Sequence, residues 1–322
     1  MKRTAILVLL LFAFAGTALA ELHGSWTAST NESKPGRLHM NINRGVSHTF
    51  GSSFNVSDFA ALSEGQLRSS MVSPVQFQLV REGGTVVFEG SFRNGDGAGQ
   101  WTFNGNRNYI GAVRALGLAF DLDGDGEEAD LFSATLLDLS TSYIKSMQAI
   151  GFRETLEQYL SMRIFNVTPE LVRELRDLGF RDLSAEDLVS TRVHKVTPEY
   201  IRQMRTAGWN LSLEELMSSR IHQATPEFAE QMAKLGYRSL PFDDLVSFRI
   251  HRVTPELITE LRDLGYTNVA ADDLIAMRIH RVTPAYIREL KAAGYSKIPV
   301  EKLIDMKIHR IDAKFIDKMN DH

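Results

Sequence analysis

Apolar and polar residues alternate along the first third of the chain, as is typical of β-strands with one buried face. Residues 77–81 and 85–89 flank Gly83-Gly84, and this pair predicts a tight hairpin turn because glycine tolerates positive φ. Residues 26–28 and 38–42 predict two further strands, and residues 94–97 predict a second turn. Residues 57–62 predict a short capped helix. We therefore expect a small antiparallel β-sheet in this region.

Beyond residue 126 the apolar residues follow helical spacing, and six glycines recur at intervals of 28 or 29 residues. They are Gly151, Gly179, Gly208, Gly236, Gly265 and Gly294. A fixed period of this length indicates a repeat array. Tyr109-Ile110 and the residues after it match the start of a repeat, so the array is expected to begin near residue 106.

Each repeat contains signals for two short helices. In the last full copy, Thr283 predicts an N-cap, Pro284 fits the first helical position, and Gly294 predicts a left-handed helix end onto which Tyr295 can fold. The other helix of a repeat begins with acidic residues and carries an apolar face that includes Met277 and Ile279. Such helices are too short to be stable alone, so stacking must bury their apolar faces.

The cap position is occupied by a hydroxyl or carboxylate residue in each copy, namely Ser140, Thr168, Thr197, Thr225, Thr254, Thr283 and Asp312. Two of the other helices begin with the pattern of a capping box, at Ser184 and Ser212. The predicted fold class is α+β, with a small N-terminal antiparallel β-sheet domain followed by an α-solenoid of about 29-residue two-helix repeats. The predicted divisions are a signal peptide at 1–20, the β domain at 21–105 and the helical repeats at 106–322, with an acidic insertion at 121–130.

The start of the chain predicts an extracytoplasmic location. Lys2 and Arg3 precede a short apolar run, and cleavage is expected after Ala20, so the mature chain should be periplasmic or secreted and have no membrane span. The chain has 322 residues, a formal net charge of -4 and no cysteine. This composition argues against a nucleic-acid partner and excludes disulfides, thiolate zinc sites and cysteine nucleophiles.

An acidic segment suggests a metal site. Oxygen ligands at alternate positions and glycines for a tight turn resemble the first half of an EF-hand calcium loop, although Phe132 stands where that loop has its bidentate glutamate. The candidate ligands are Asp121, Asp123, Asp125, Glu127 and Asp130. Calcium is the one cofactor that the sequence suggests, and no other is required. The alternative is a solvated acidic turn between two helices.

Two further columns recur with the repeats. One contains histidines, at positions 194, 222, 251, 280 and 309. Because stacked helices lie about 8–10 Å apart, these histidines are interpreted as helix-end residues that bond a carbonyl or cap rather than as ligands of one metal ion. The other column is cationic, at positions 163, 192, 220, 249, 278 and 307, and is expected to pair with glutamates such as Glu199 and Glu227. An anion-binding stripe is the alternative.

The segments 249–256 and 84–92 resemble the extracytoplasmic repeat tail of antirepressor-type membrane zinc metallopeptidases, the β-lactam-sensor family. In that family the chemistry belongs to a membrane peptidase domain with a zinc motif. This sequence contains no such domain and no zinc motif, so the resemblance implies a free-standing tail for sensing or partner binding.

No His-Glu-x-x-His, Gly-x-Ser-x-Gly or phosphate-binding motif occurs, and the chain is predicted not to be an enzyme. The predicted function is a non-enzymatic binding scaffold that engages an envelope protein or peptide through its helical-repeat surface. The alternative is an envelope structural protein stabilised by calcium.

Overall fold

The computed structural model describes residues 22–30, 34–45, 48–120 and 126–315. It confirms the predicted α+β class, since an antiparallel seven-stranded sheet is followed by a series of short helices. The chain forms two compact units, Met1–Pro169 and Glu170–His322. The predicted division at residue 105 coincides with the end of the last strand, and it stays a prediction as a domain boundary.

The sheet has the strand order β3-β2-β1-β7-β6-β5-β4. Its strands are β1 His23–Thr30, β2 Arg37–Arg44, β3 His48–Asn55, β4 Phe59–Ala60, β5 Ser73–Arg81, β6 Gly84–Arg93 and β7 Asp96–Gly105. One face encloses aromatic side chains, among them Trp26, Phe77 and Phe88, whose rings pack edge to edge or stacked. This face follows the alternation of the sequence, because side chains in a strand point to opposite faces in turn.

Both predicted hairpins are present. β5 pairs with β6, and β6 pairs with β7 through a turn at Asn94 and Gly95, which both have positive φ. Gly99 lies opposite Gly90, and a Cβ atom on Gly99 would lie 1.9 Å from the Glu89 carbonyl oxygen. Glycine is required there because the two strands approach each other closely as the sheet curls.

The predicted helix at residues 57–62 is wrong. A 3₁₀ turn, Val56–Asp58, leads directly into β4, and the short helix α1 begins only at Glu64 and ends at Leu67. Phe59 pairs with Leu79 of β5 and its ring packs against Phe77. Burial of an aromatic side chain in the sheet outweighs the local helix signal of these residues.

Fourteen further helices follow over the described residues. They are α2 Arg107–Ala115, α3 Gly126–Leu136, α4 Thr141–Ala149, α5 Leu156–Ile164, α6 Pro169–Asp177, α7 Ala185–Val193, α8 Pro198–Thr206, α9 Leu213–His222, α10 Pro226–Lys234, α11 Phe242–Ile250, α12 Pro255–Asp263, α13 Ala271–Ile279, α14 Pro284–Ala292 and α15 Val300–Ile308. In the first unit α3 packs against the sheet, where Phe132 stacks on Trp101 at 4.4 Å between ring centroids.

The predicted helix ends are confirmed. Thr283 accepts a hydrogen bond from the amide of Tyr286, and the capping boxes at Ser184 and Ser212 are formed. Gly294 has φ +92°, and the amide of Tyr295 donates to the Leu290 carbonyl, which satisfies an otherwise unpaired acceptor.

In the second unit the odd-numbered helices α7 to α15 contact each other in sequence, and α12 contacts α14. Their shared seam is fully buried at one position of each odd helix, namely Leu188, Leu216, Leu245, Leu274 and Leu303. This repeated burial confirms the predicted helical repeats, because each helix covers apolar surface of the next.

Three predictions fall outside the described residues: the signal peptide at 1–20, the aspartates at 121, 123 and 125, and the end of the last half-repeat. Among the helices that the structure describes, none is long and apolar enough to cross a membrane.

Candidate binding surface

Two of the predicted calcium ligands are described. Glu127 and Asp130 lie on the first turns of α3, and Glu127 Oε2 pairs with Arg114 Nη2 at 2.5 Å. Asp121, Asp123 and Asp125 lie outside the described residues. No group of three histidine or acidic residues suited to a metal ion occurs in the described ranges. The calcium site therefore stays a prediction.

The histidine column lies at the ends of the odd helices of the second unit. His194, His251, His280 and His309 follow the last helical residue, and His222 is the last residue of α9. All five are half-buried or exposed. His309 Nδ1 lies 2.8 Å from the Asp305 carbonyl oxygen, as the carbonyl-bonding interpretation requires.

The cationic column holds successive repeats together. Arg278 Nε donates to the His251 carbonyl at 3.0 Å, and Arg220 donates through Nε and Nη2 to the Lys195 carbonyl at 3.1 and 3.0 Å. These carbonyls stand at the end of the preceding odd helix, where the backbone lacks donors and the helix dipole is negative. Each of these two arginines thus caps the preceding odd helix.

Several of these cations also lie over an aromatic ring of the adjoining even-numbered helix. The Arg220 guanidinium carbon is 3.8 Å from the Tyr200 ring centroid, and the Arg249 guanidinium carbon is 4.7 Å from that of Phe228. Glu199 instead pairs with Arg202 of its own helix at 3.7 Å, so the predicted glutamate ladder is wrong at this position. At the helix end the guanidinium donates hydrogen bonds to a carbonyl, and its positive charge and planar shape also suit the face of the aromatic ring.

The odd helices end in a left-handed residue that is not glycine. In α13 the amide of Arg281 donates to the Arg278 carbonyl and that of Val282 to the Met277 carbonyl, which is a Schellman motif. The left-handed residues at the ends of the odd helices α7 to α15 are Lys195, Gln223, Arg252, Arg281 and Arg310. Their side chains do not mark a positive φ, so the sequence did not predict them, although a small or aliphatic residue follows each one and is buried in the first four cases.

An aliphatic side chain is exposed just before each of these helix ends. The exposed fraction of these side chains is between 47% and 55%, and the residues are Val193, Ile221, Ile250, Ile279 and Ile308. We call these five residues the aliphatic ridge. The prediction that Ile279 lies on the buried face is wrong, since Leu274 and Met277 fill the seam.

The aliphatic ridge is bordered by polar groups. A hollow of about 420 Å³ is lined by Ile221 and Ile250 together with His222, Arg249 and Arg252. In this hollow the ridge therefore presents apolar side chains, an imidazole and cations side by side.

A comparison with protein-family models, with curated proteins and with solved structures finds no match to this chain. The resemblance to the metallopeptidase repeat tail stays a prediction.

Proposed function

We propose that the chain is a non-enzymatic scaffold that binds a protein or peptide through the aliphatic ridge. The observation that carries this proposal is the exposure of an aliphatic side chain at the same position of five successive repeats. Single exposed apolar residues are normal in proteins, whereas apolar residues aligned by a repeat form a continuous surface that favours a partner. Solenoid repeats commonly use such extended surfaces for binding.

The charge beside the ridge specifies the partner further. Five left-handed residues stand at the helix ends beside the ridge, and four of them are exposed cations, namely Lys195, Arg252, Arg281 and Arg310. Stacked helices lie about 8–10 Å apart, and an extended chain rises about 3.3 Å per residue. A partner segment with an aliphatic side chain at every third position and acidic residues between them would match this surface.

The expected location supports a partner in the cell envelope. The predicted signal peptide at 1–20 would deliver the chain to the periplasm or the exterior, where the resemblance to an extracytoplasmic repeat tail also places it. The scaffold would then act on envelope proteins or peptides.

Selection from a displayed random-peptide library tests the proposal. The full chain serves as bait, with counter-selection against the double variant Ile221→Ser, Ile250→Ser. We expect enriched peptides that carry aliphatic and acidic residues and bind the double variant at least about tenfold more weakly, since two apolar contacts are lost.

The matched control is the double variant Met71→Ser, Val72→Ser, which changes two exposed apolar residues of the first unit. It should keep the affinity for the enriched peptides. Peptides that bind the wild type and the ridge variant equally well would contradict the proposal.

A calcium-stabilised structural protein is the second candidate. The acidic segment directly precedes α3, whose Phe132 and Leu131 are buried in the first unit. An ion held by residues 121–130 would fix the start of α3 and so stabilise its packing on the sheet. We expect millimolar calcium to raise the midpoint of thermal unfolding of the wild type but not of the variant Asp123→Asn, Asp125→Asn. This candidate would be contradicted if calcium raised the midpoint of thermal unfolding equally in the wild type and the variant. It would also be contradicted if magnesium raised the midpoint as much as calcium does.

A further inference from the structure

The even-numbered helices of the second unit have a cap of their own. Arg205 Nη2 of α8 donates to the carbonyl of Leu178, which ends α6, and Arg262 Nη2 of α12 donates to that of Leu235, which ends α10. The Arg205 guanidinium carbon also lies 5.8 Å from the ring centroid of Phe180, the residue after the helix-ending glycine. Arg205 thus lies on a helix-end carbonyl and beside an aromatic ring, and Arg262 repeats the carbonyl contact in a second repeat.

One repeat lacks this guanidinium. Three residues before the helix-ending glycine, the even helices carry Arg176, Arg205, Ala233, Arg262 and Lys291, so α10 alone of these five has no cation. One turn earlier the same helix has Ala229, whereas its counterparts are Val172, Ile201, Ile258 and Ile287. Two large side chains of the repeat pattern are thus replaced by methyl groups on one face of α10.

The two alanines leave a hollow of about 760 Å³ between α8 and α10. Ala207 and Trp209 line it, and they are the counterparts of Leu178 and Phe180, which receive Arg205 in the repeat before. Trp209 is half-buried, and its ring packs edge-on against Phe242 at 6.1 Å between centroids. The helix-end carbonyl and the aromatic ring of an arginine site are therefore present without the arginine of this chain.

The charged side chains that line the hollow have a formal net charge of -1. Glu199, Glu227 and Glu230 line it together with two arginines, Arg202 and Arg238. Arg202 pairs with Glu199, and Glu230 pairs with Lys234 at 2.8 Å on the exposed surface of α10.

The corresponding surface between α12 and α14 contains an ion pair that joins the two helices. There Arg288 of α14 bridges to Glu260 of α12 at 2.7 Å, whereas α10 has Glu230 at the position of Arg288. At this position the other even helices carry Arg173, Arg202, Thr259 and Arg288, so α10 is the one with a carboxylate.

We propose that this hollow receives an arginine side chain from a partner. The guanidinium would donate to the Ala207 carbonyl, lie on the Trp209 ring and pair with the carboxylate of Glu230, as charge-assisted hydrogen bonding and cation–π attraction require. Arginine fits better than lysine because its planar fork can meet a carbonyl and a ring at once. The site is separate from the aliphatic ridge and goes beyond the function proposed for it.

The indole N–H signal of Trp209 in an NMR spectrum of the ¹⁵N-labelled full chain tests the proposal. The chain has three tryptophans, and Trp26 and Trp101 are buried in the sheet, so each signal can be assigned with a Trp→Phe variant. The probes are the capped peptides Gly-Arg-Gly, Gly-Lys-Gly and Gly-Gln-Gly. We expect a saturable shift of the Trp209 signal with the arginine peptide, a several-fold weaker affinity for the lysine peptide and no shift with the glutamine peptide.

The variant Ala233→Arg should fill the hollow from within the chain. We expect it to abolish the peptide-induced shift and to raise the midpoint of thermal unfolding, since the regular helix cap is restored. Ala292→Arg is the matched control, because it adds the same charge on the exposed end of α14 and should leave the shift unchanged. Ala229→Ile, which restores the residue of the neighbouring repeats, should also weaken binding and serves if Ala233→Arg does not fold.

A shift that is the same with arginine and glutamine peptides, or that persists in both Ala233→Arg and Ala229→Ile, would overturn the proposal. The ridge variant Ile221→Ser, Ile250→Ser should leave the Trp209 shift intact. Failure of the ridge as a binding surface and failure of the arginine site are therefore distinguishable.

Discussion

Tyrosine hydroxyls link the first turn of an even helix to the chain segment that follows the next odd helix. Tyr143 donates to the Val167 carbonyl at 2.9 Å, and Tyr286 donates to the Ile311 carbonyl at 2.7 Å. Both tyrosines are buried. The acceptors could not be predicted, because they lie 24 and 25 residues along the chain and are brought near only by stacking.

The burial of Tyr143 predicts a loss of stability at alkaline pH. Burial raises its pKa to about 12, against the opposing effect of the nearby Arg163. Since the ordinary tyrosine pKa is about 10, the neutral hydroxyl stabilises the fold fully below pH about 10, and this contribution disappears as the pH rises to about 12.

We expect Tyr143→Phe to reduce the fall in the free energy of unfolding between pH about 9 and 12, measured by urea titration with circular dichroism. At neutral pH the variant should lose about 1 kcal/mol, because the Val167 carbonyl loses its donor. Parallel pH profiles of the two chains would disprove the assignment. Tyr295→Phe, which changes an exposed tyrosine, provides the control.

At the scale of the element, both kinds of helix end are capped by a side chain from the following repeat. The signals for helix starts and for the glycine ends are local, and they were predicted from the sequence. The donors Arg220 and Arg278 were noticed as a column, but their acceptors were not predicted, because a charge pattern does not distinguish a carboxylate partner from a helix-end carbonyl.

Removing one of these donors should destabilise the second unit. We expect Arg220→Gln to lower the free energy of unfolding by about 2 kcal/mol, since the Lys195 carbonyl loses two N–H donors and the Tyr200 ring loses its cation. The exposed Arg202→Gln, which breaks only an ion pair with Glu199, should cost no more than about 0.5 kcal/mol. Urea titration of both variants makes the comparison, and equal effects would be inconsistent with capping by Arg220.

The same limit applies to the elements of the sheet and the seam. Phe59 becomes a strand residue because of its neighbours in the fold, and Ile279 is exposed although it continues an apolar periodicity. Helical spacing identifies a face only to within a residue or two, and a nine-residue helix has too few turns to fix it better. The aliphatic ridge was therefore beyond the reach of the pattern alone.

At the scale of the whole molecule, the alternation of apolar and polar residues was sufficient to predict the sheet, and the glycine period and the cap signals were sufficient to predict the helical repeats. The hollow between α8 and α10 depends on two departures from the repeat pattern, Ala229 and Ala233. Both are visible in the sequence, but their meaning becomes clear only when the neighbouring repeats show that a guanidinium occupies this place.

The left-handed residues at the odd helix ends have a consequence for the backbone energy of the repeats. Glycine would adopt the same backbone without steric strain, and the chain uses it at the ends of the even helices, whereas a residue with a Cβ atom costs about 1 kcal/mol at such a place. These five positions therefore carry a steric cost that glycine would avoid, and each keeps in exchange an exposed side chain at a helix end.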